Sequence, residues 1–187
     1  MTECSFRFLK QKGNYRDLIA YRKAECIYDI TYYFTNKYLE RSDRTVDQML
    51  QAARSGKQNI AEGSAAATTS SKSELYLMNV ARASLQELLV DYEDYLRVRN
   101  LVVWPAECEK SQQARKVCAQ HNDSEFYRRQ IALRSDETVA NIAITLIHQE
   151  DVILRRLLER LQEDFVKEGG IREKMTHARL EYRNSRK

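Results

Sequence analysis

Residues 59–75 read Asn59-Ile60-Ala61-Glu62-Gly63-Ser64-Ala65-Ala66-Ala67-Thr68-Thr69-Ser70-Ser71-Lys72-Ser73-Glu74-Leu75. A glycine that ends one amphipathic pattern, followed by Ser and Thr able to cap the next, is how two antiparallel neighbours of a helical bundle are joined. The rest of the chain agrees with that reading. One proline and five glycines in 187 residues leave little punctuation, and Leu, Ala, Glu, Arg and Gln are abundant, which favours long helices over strands. The length suffices for a real core, since a domain near 150 residues buries roughly 68–70% of its unfolded surface.

The expected fold class is all-α: an antiparallel up-down four-helix bundle over residues 15–168. Its helices are expected at about residues 15–39, 43–62, 71–99 and 136–167, after an N-terminal segment, residues 1–14. The first carries Leu18, Ile19, Ile27, Ile30 and Phe34 as apolar positions, and Ser42 or Asp43 can cap the second. The second has Val46, Met49, Leu50, Ala53 and Ile60 before Gly63 stops it. The third carries Leu75, Met78, Leu85, Leu88, Leu89, Tyr92 and Leu96, with Asn100 placed to close it. Residues 102–135 read as an insertion rather than a core element: after Val102-Val103-Trp104-Pro105 comes a polar stretch, Ala106 to Gln130, of one or two short helices around a loop at His121-Asn122-Asp123. The last long helix begins after Ser135. It repeats Val139, Ile142, Leu146, Ile153, Leu157, Leu161 and Phe165 in three- and four-residue steps, missing once at Gln149 or Glu150.

Several function classes lack a basis in the sequence. Cys4, Cys26, Cys108 and Cys118 form no Cys-x-x-Cys pair and have no histidine at zinc spacing, so reduced structural thiols are expected. His121, His148 and His177 are preceded three places back by Cys118, Thr145 and Lys174, so the Glu-x-x-His of a di-iron bundle is absent. Neither a His-Glu-x-x-His helix nor a glycine-rich phosphate loop occurs. The expectation is a non-enzymatic protein without cofactor or metal. No apolar run approaches the roughly 18 residues that cross a bilayer, and the N-terminus has no apolar signal core, so a cytoplasmic address without a membrane partner is expected.

Charge is concentrated at one end. Residues 167–187 hold seven Lys or Arg and three Glu, a net +4 equal to that of the whole chain, so the body is formally neutral. Beyond the Gly169-Gly170 hinge, residues 169–187 form a basic suffix in which Arg172, Lys174, Arg179, Arg183, Arg186 and Lys187 are candidate phosphate contacts. A helix with a solvated face that docks on the body through Ile171, Met175, Leu180 and Tyr182 is the other reading. Arg54, Lys57 and Lys72 are secondary candidates. Six tyrosines between Tyr15 and Tyr38 share no single face; they suit core and oligomer packing better than base stacking. Asn59 and Glu62, one turn apart, read with Gly63 as structural: a buried amide and carboxylate fixing helix register.

The same stretches carry a family resemblance. Gln48, Ala52, Ala53, Arg54 and Ser55 leading into Asn59-Ile60-Ala61-Glu62-Gly63, then Ala81, Ser84, Leu85, Glu87 and Leu88, resemble the second and third helices of a bacterial four-helix-bundle family. That family includes proteins encoded by ribosomal RNA intervening sequences and the accessory variability determinants of diversity-generating retroelements. Tyr15-Arg16-Asp17-Leu18 is similar to the family's opening. Leu146-Ile147-His148-Gln149 and the run from Asp164 to Leu180 resemble a suffix found on one subgroup. Residues 102–135 depart from the shorter members, which join the third and fourth helices by a brief turn. The resemblance implies a left-handed bundle assembled as a ring-like homopentamer, with RNA or DNA and a reverse transcriptase as partners of the retroelement members. Five +4 tails would gather about +20 on one assembly.

Two functions of different classes follow as expectations. One is an oligomeric nucleic-acid-binding adaptor, accessory to a reverse transcriptase. The other is a structural or protein-binding homo-oligomer with no nucleic-acid role, its suffix docked on a neighbouring subunit.

Overall fold

A computed structural model describes residues 14–185, and all of these belong to helices or their connections. Cys4, Arg186 and Lys187, and with them most of the expected N-terminal segment, lie outside the described residues. After a 3-10 turn, Tyr15–Asp17, come α1 (Ile19–Tyr38), α2 (Arg44–Ala66), α3 (Ser71–Val98), α4 (Glu109–Gln120), α5 (Ser124–Ile131), α6 (Asp136–Glu168) and α7 (Ile171–Asn184). There is no strand among the described residues, and no helix in them is long and apolar enough to cross a membrane.

Local chemistry sets the boundaries. Each of the first N–H groups of a helix lacks an intrahelical acceptor, and a short polar side chain supplies one. Asp43 accepts from Thr45 N at 2.9 Å, Ser70 from Ser73 N at 3.1 Å, Asp123 from Phe126 N at 2.8 Å and Ser135 from Thr138 N at 3.3 Å. At its other end α3 closes through Asn100, whose φ of 55° is left-handed. There Leu101 N donates to Leu96 O at 2.9 Å and Asn100 N to Arg97 O at 3.2 Å, the paired 6→1 and 5→2 bonds that satisfy terminal carbonyls. The first long helix begins at Ile19 rather than near Tyr15, because Leu18 is extended and residues 15–17 make only a single turn capped by Asn14.

Helices α1 and α3 each pack against both α2 and α6, so the four long helices neighbour one another in the closed order α1, α2, α3, α6. Between them lies one apolar core. Phe34 is fully buried, with its ring 4.7 Å from Tyr95, 5.0 Å from Tyr92 and 5.4 Å from Tyr38, centroid to centroid. Tyr92, also fully buried, donates its hydroxyl to Thr31 Oγ1 at 3.0 Å. On the surface, Asp151 of α6 ties α3 by accepting from Arg82 Nε at 2.6 Å, and it also meets Arg155 Nε at 2.9 Å.

The structure departs from the expected pattern in three further places. Gly63 does not stop α2, which continues to Ala66. It sits buried where α3 crosses closely: a Cβ there would lie 3.2 Å from Met78 Cε and 3.3 Å from Leu77 Cβ. Gly56, seven residues earlier, is tighter still, with 2.7 Å to Leu85 Cδ2. Small residues two turns apart let α2 and α3 approach, so packing rather than punctuation explains the glycines.

The buried face of α6 also differs from the expected seam. Of the expected seam Val139, Leu146 and Leu161 are buried, but Ile142, Ile153 and Leu157 are only half-buried and Phe165 is exposed, while Ala140, Ala143, Ile144, Ile147, Glu150 and Leu154 are buried beside it. The cause is that α6 is covered by α4 as well as by α1 and α3, so its first half is enclosed on more than one face.

Finally, residues 102–135 are more than a peripheral insertion. α4 lies on α6 and α5 on α1, and together they bury Cys118, Tyr127 and Ile131. Backbone carbonyls of this region are held by α1: Tyr33 donates to Ala132 O at 3.1 Å, Lys37 to the same oxygen at 2.9 Å and Tyr38 to Arg134 O at 2.6 Å. On the other side Asn141, buried on α6, accepts from Trp104 N at 2.7 Å and donates to Val102 O at 2.9 Å. A polar sequence can thus be core-forming when its few apolar side chains face inward and its backbone finds partners on the body.

Candidate functional site

The basic suffix forms α7, a helix with no fully buried residue that makes no extensive contact with any other helix. It departs from α6 at Gly169, whose φ of 70° is left-handed, and begins with the Glu173 carboxylate accepting from Gly170 N. Seven and four residues separate Arg172, Arg179 and Arg183, so at 3.6 residues per turn the three lie on one line of the helix, and all are exposed. Beside that line Ile171, Met175, Ala178 and Tyr182 form a narrow apolar stripe. Lys174 is off the arginine line and engaged, its Nζ 2.9 Å from Glu168 Oε2. Ile171 and Lys174 border the α2–α3 turn at Thr68 and Thr69, beside Phe165.

The secondary candidates are not gathered with these. Lys72 is exposed at the start of α3, by the α2–α3 turn at the α7 end of the molecule. Arg54 and Lys57 stand three and two turns or more back along α2 from that turn; Arg54 is exposed, while Lys57 is held over the Tyr28 ring at 4.1 Å. The structure therefore brings together Arg172, Arg179 and Arg183 but not Arg54 and Lys57. Of the expected structural trio, Asn59 is half-buried and donates to Ser55 O at 2.9 Å and Ser55 Oγ at 3.1 Å, and Ser55 in turn meets Ser84 of α3 at 2.9 Å. Glu62 is exposed, so the buried amide–carboxylate pair does not form. The buried stripe of α2 runs through Met49, Ala53, Gly56, Ile60 and Gly63, which leaves Asn59 at its edge and Glu62 beyond it.

Sequence reading missed a second polar centre, where α1, α4 and α6 meet. Lys23 is only 2% exposed and donates from Nζ to Cys118 O at 2.8 Å and to Gln149 Oε1 at 3.1 Å. The first acceptor belongs to the last turn of α4, so a cation from α1 satisfies a terminal carbonyl and complements the helix dipole. Gln149 completes the tie by donating from Nε2 to Arg115 O at 2.9 Å. Burial lowers the Lys23 pKa, an effect that the electron-rich groups of Cys118 and Glu150 oppose. Glu150 is fully buried, and neither carboxylate oxygen has a hydrogen-bond partner among the described residues. Burial pushes its pKa well above the ordinary value of 4.5, against a weaker pull from Lys23. The signal for this centre was present in the sequence as the missed step of the α6 repeat.

A cleft of about 670 Å³ opens beside this centre, lined by Lys23, Trp104, Arg115, Asn122, His148 and Ile153 among others. Cys26, Cys108 and Cys118 are free thiols, and burial drives the Cys26 pKa up to about 12 and raises that of Cys118, so the two buried groups stay protonated. Among the described residues no group of three or more His, Cys, Asp or Glu is placed to hold a metal ion.

Glu150 makes stability depend on pH with a definite sign. Its folded-state pKa exceeds the unfolded value, so from about pH 4.5 upward the folded chain holds the proton that the unfolded chain releases, and stability falls as pH rises. Glu150→Gln removes this titration. Melting temperatures of the two proteins are expected to diverge between pH 5 and pH 8 in favour of the variant. A constant difference across that range would contradict the reading.

No protein-family model matches the chain, and neither the curated proteins nor the solved structures give a significant match to it.

Proposed function

We propose that this chain is an up-down four-helix bundle that acts without catalysis, binding RNA or DNA through α7 as an oligomeric adaptor. The observation that carries the reading is the exposed line Arg172, Arg179, Arg183 on a helix that makes no extensive contact with the other helices of a formally neutral body. Guanidinium groups spaced along one helix edge suit consecutive phosphates, and their affinity comes from counterion release, which needs charge and exposure rather than a pocket. The closed neighbour order of the four long helices supports the bundle topology, the family resemblance supports a homopentamer that partners a reverse transcriptase, and the shortness of the apolar runs supports a cytoplasmic address.

Anisotropy of a labelled structured RNA, titrated with full-length protein at 50 and 200 mM salt, tests this. Binding is expected to weaken steeply with salt. The triple variant Arg172→Gln, Arg179→Gln, Arg183→Gln is expected to reduce the log–log salt slope by about 2–3, close to one unit per phosphate contact. Salt-independent affinity, or affinity that the triple variant leaves unchanged, would overturn the proposal.

A second reading has its own observation: Met175 and Tyr182 of the apolar stripe are 50% and 42% exposed. If α7 instead docks on a neighbouring subunit, the mass by light scattering responds to Met175→Glu while no RNA binding is seen.

A further inference from the structure

The cleft bounded by α1, α4 and α6 lies apart from α7, since Val152 on its wall is about 24 Å along α6 from Glu168. Its volume, about 670 Å³, is that of a small-molecule site. Large apolar side chains are left open to water around it: Ile19 is 57% exposed, Val103 43% and Val152 36%. Trp104 and Ile153 extend the same apolar surface. The polar lining has one sign. Lys23, Arg115 and His148 are the titratable groups among the lining residues, and no Asp or Glu is included; Glu150 is fully buried beside Lys23, and Glu137 meets Trp104 Nε1 at 3.4 Å, but neither lines the cleft.

Part of this polar lining is unsatisfied. Lys23 has three N–H donors and spends two, on Cys118 O and Gln149 Oε1. Arg115 contributes one N–H of Nη2 to Ala106 O, which leaves most of its donor fork uncommitted there. Asn122 Oδ1 is buried without a partner, so the protein does not hold that amide oxygen in place, and turning the amide presents NH₂ donors instead.

We infer that the cleft binds a small amphipathic carboxylate, its chain on the Trp104, Val152 and Ile153 surface and its head on the Arg115 guanidinium and the Lys23 ammonium. The charge asymmetry selects the anion. An alcohol of the same length would bury the same apolar area but forfeit the charge-assisted hydrogen bonds. A cation would meet three basic groups. The inference is independent of nucleic-acid binding, because α7 takes no part in the cleft.

Octanoate, with 1-octanol as the neutral control, is the probe, titrated into the full-length protein by isothermal titration calorimetry. One site per chain is expected for octanoate, with binding at least about tenfold tighter than for octanol. Arg115→Glu, at an exposed position of α4, is expected to weaken octanoate at least about tenfold. Because Arg115 also touches Ala106 O, Val152→Glu serves as a second variant that places a negative charge on the opposite wall and is expected to do the same. Absence of octanoate binding, equal binding of octanol, or affinity unchanged in both variants would overturn the inference. A concentration-dependent mass abolished by Val152→Glu, with no octanoate heat, would overturn it in favour of a second copy of the chain covering the cleft.

Discussion

Lys23→Met is expected to lower the free energy of unfolding by about 3 kcal/mol. The side chain keeps its length and apolar stem, so the change isolates the ammonium group. Two hydrogen bonds from a buried charge are lost, to Cys118 O and to Gln149 Oε1, each worth about 1.5–3 kcal/mol. The cost of keeping an ammonium out of water, seen in its lowered pKa, is recovered and offsets part of that loss. What remains is a stranded terminal carbonyl on α4 and an unpaired Gln149 amide oxygen, while Glu150, holding its proton, loses little. Urea unfolding followed by circular dichroism measures the change. A companion, Glu150→Leu, tests the coupling: if the two groups stabilise one another, the double variant loses less than the two single changes summed. Exact additivity would mean that Lys23 serves α4 alone.

Phe34→Ala is expected to cost more, about 3–5 kcal/mol. Phe34 is fully buried, and its ring touches Tyr38 of its own helix and Tyr92 and Tyr95 of α3. Truncation removes the apolar area and the edge-on aromatic contacts together, the latter worth about 0.5–1.5 kcal/mol each. The three tyrosines are themselves anchored: Tyr92 to Thr31, Tyr95 to Asp136 at 2.9 Å and Tyr38 to Arg134 O. With hydroxyls fixed at their far ends, the rings cannot swing in to fill the space, which places the cost at the upper end of the range. The urea midpoint should fall with the slope unchanged. A loss below about 1 kcal/mol would show that α1 and α3 close over the gap.

The sequence was most readable where one side chain decides one local event. Asp43, Ser135 and Asn100 cap or close helices at the expected places because capping depends on residues a turn or less away. Gly63 was misread for a related reason. The same glycine can end a helix or admit a neighbour, and only the position of Met78 and Leu77 on α3 distinguishes the two. The face of α6 could not be read from its repeat alone, since a helix covered by a third neighbour has no single seam. Nor did composition reveal that residues 102–135 bury Tyr127 and Ile131. Of the suffix, the arginine line on α7 was implicit in residue spacing. Lys174, off that line, pairs instead with Glu168, a contact that depends on how α7 leaves α6. The cleft was invisible, because Lys23, Arg115 and Gln149 are far apart in the chain and meet only through the packing of α1, α4 and α6.

The packing of α1, α4 and α6 also sets the order in which the molecule assembles. The bonds that seat α4 and α5 join residues about a hundred positions apart: Lys23 to Cys118, Tyr33 to Ala132 and Tyr38 to Arg134. By contrast α2 and α3 share a short turn and the most extensive contact in the molecule. Closing a long loop costs entropy before any contact repays it, so the α2–α3 hairpin is the natural early unit and α4–α5 a late one. Within the packed body, the region that reads as an insertion in the sequence is then the last to order and the first to exchange its amides, a latch set over an already formed frame.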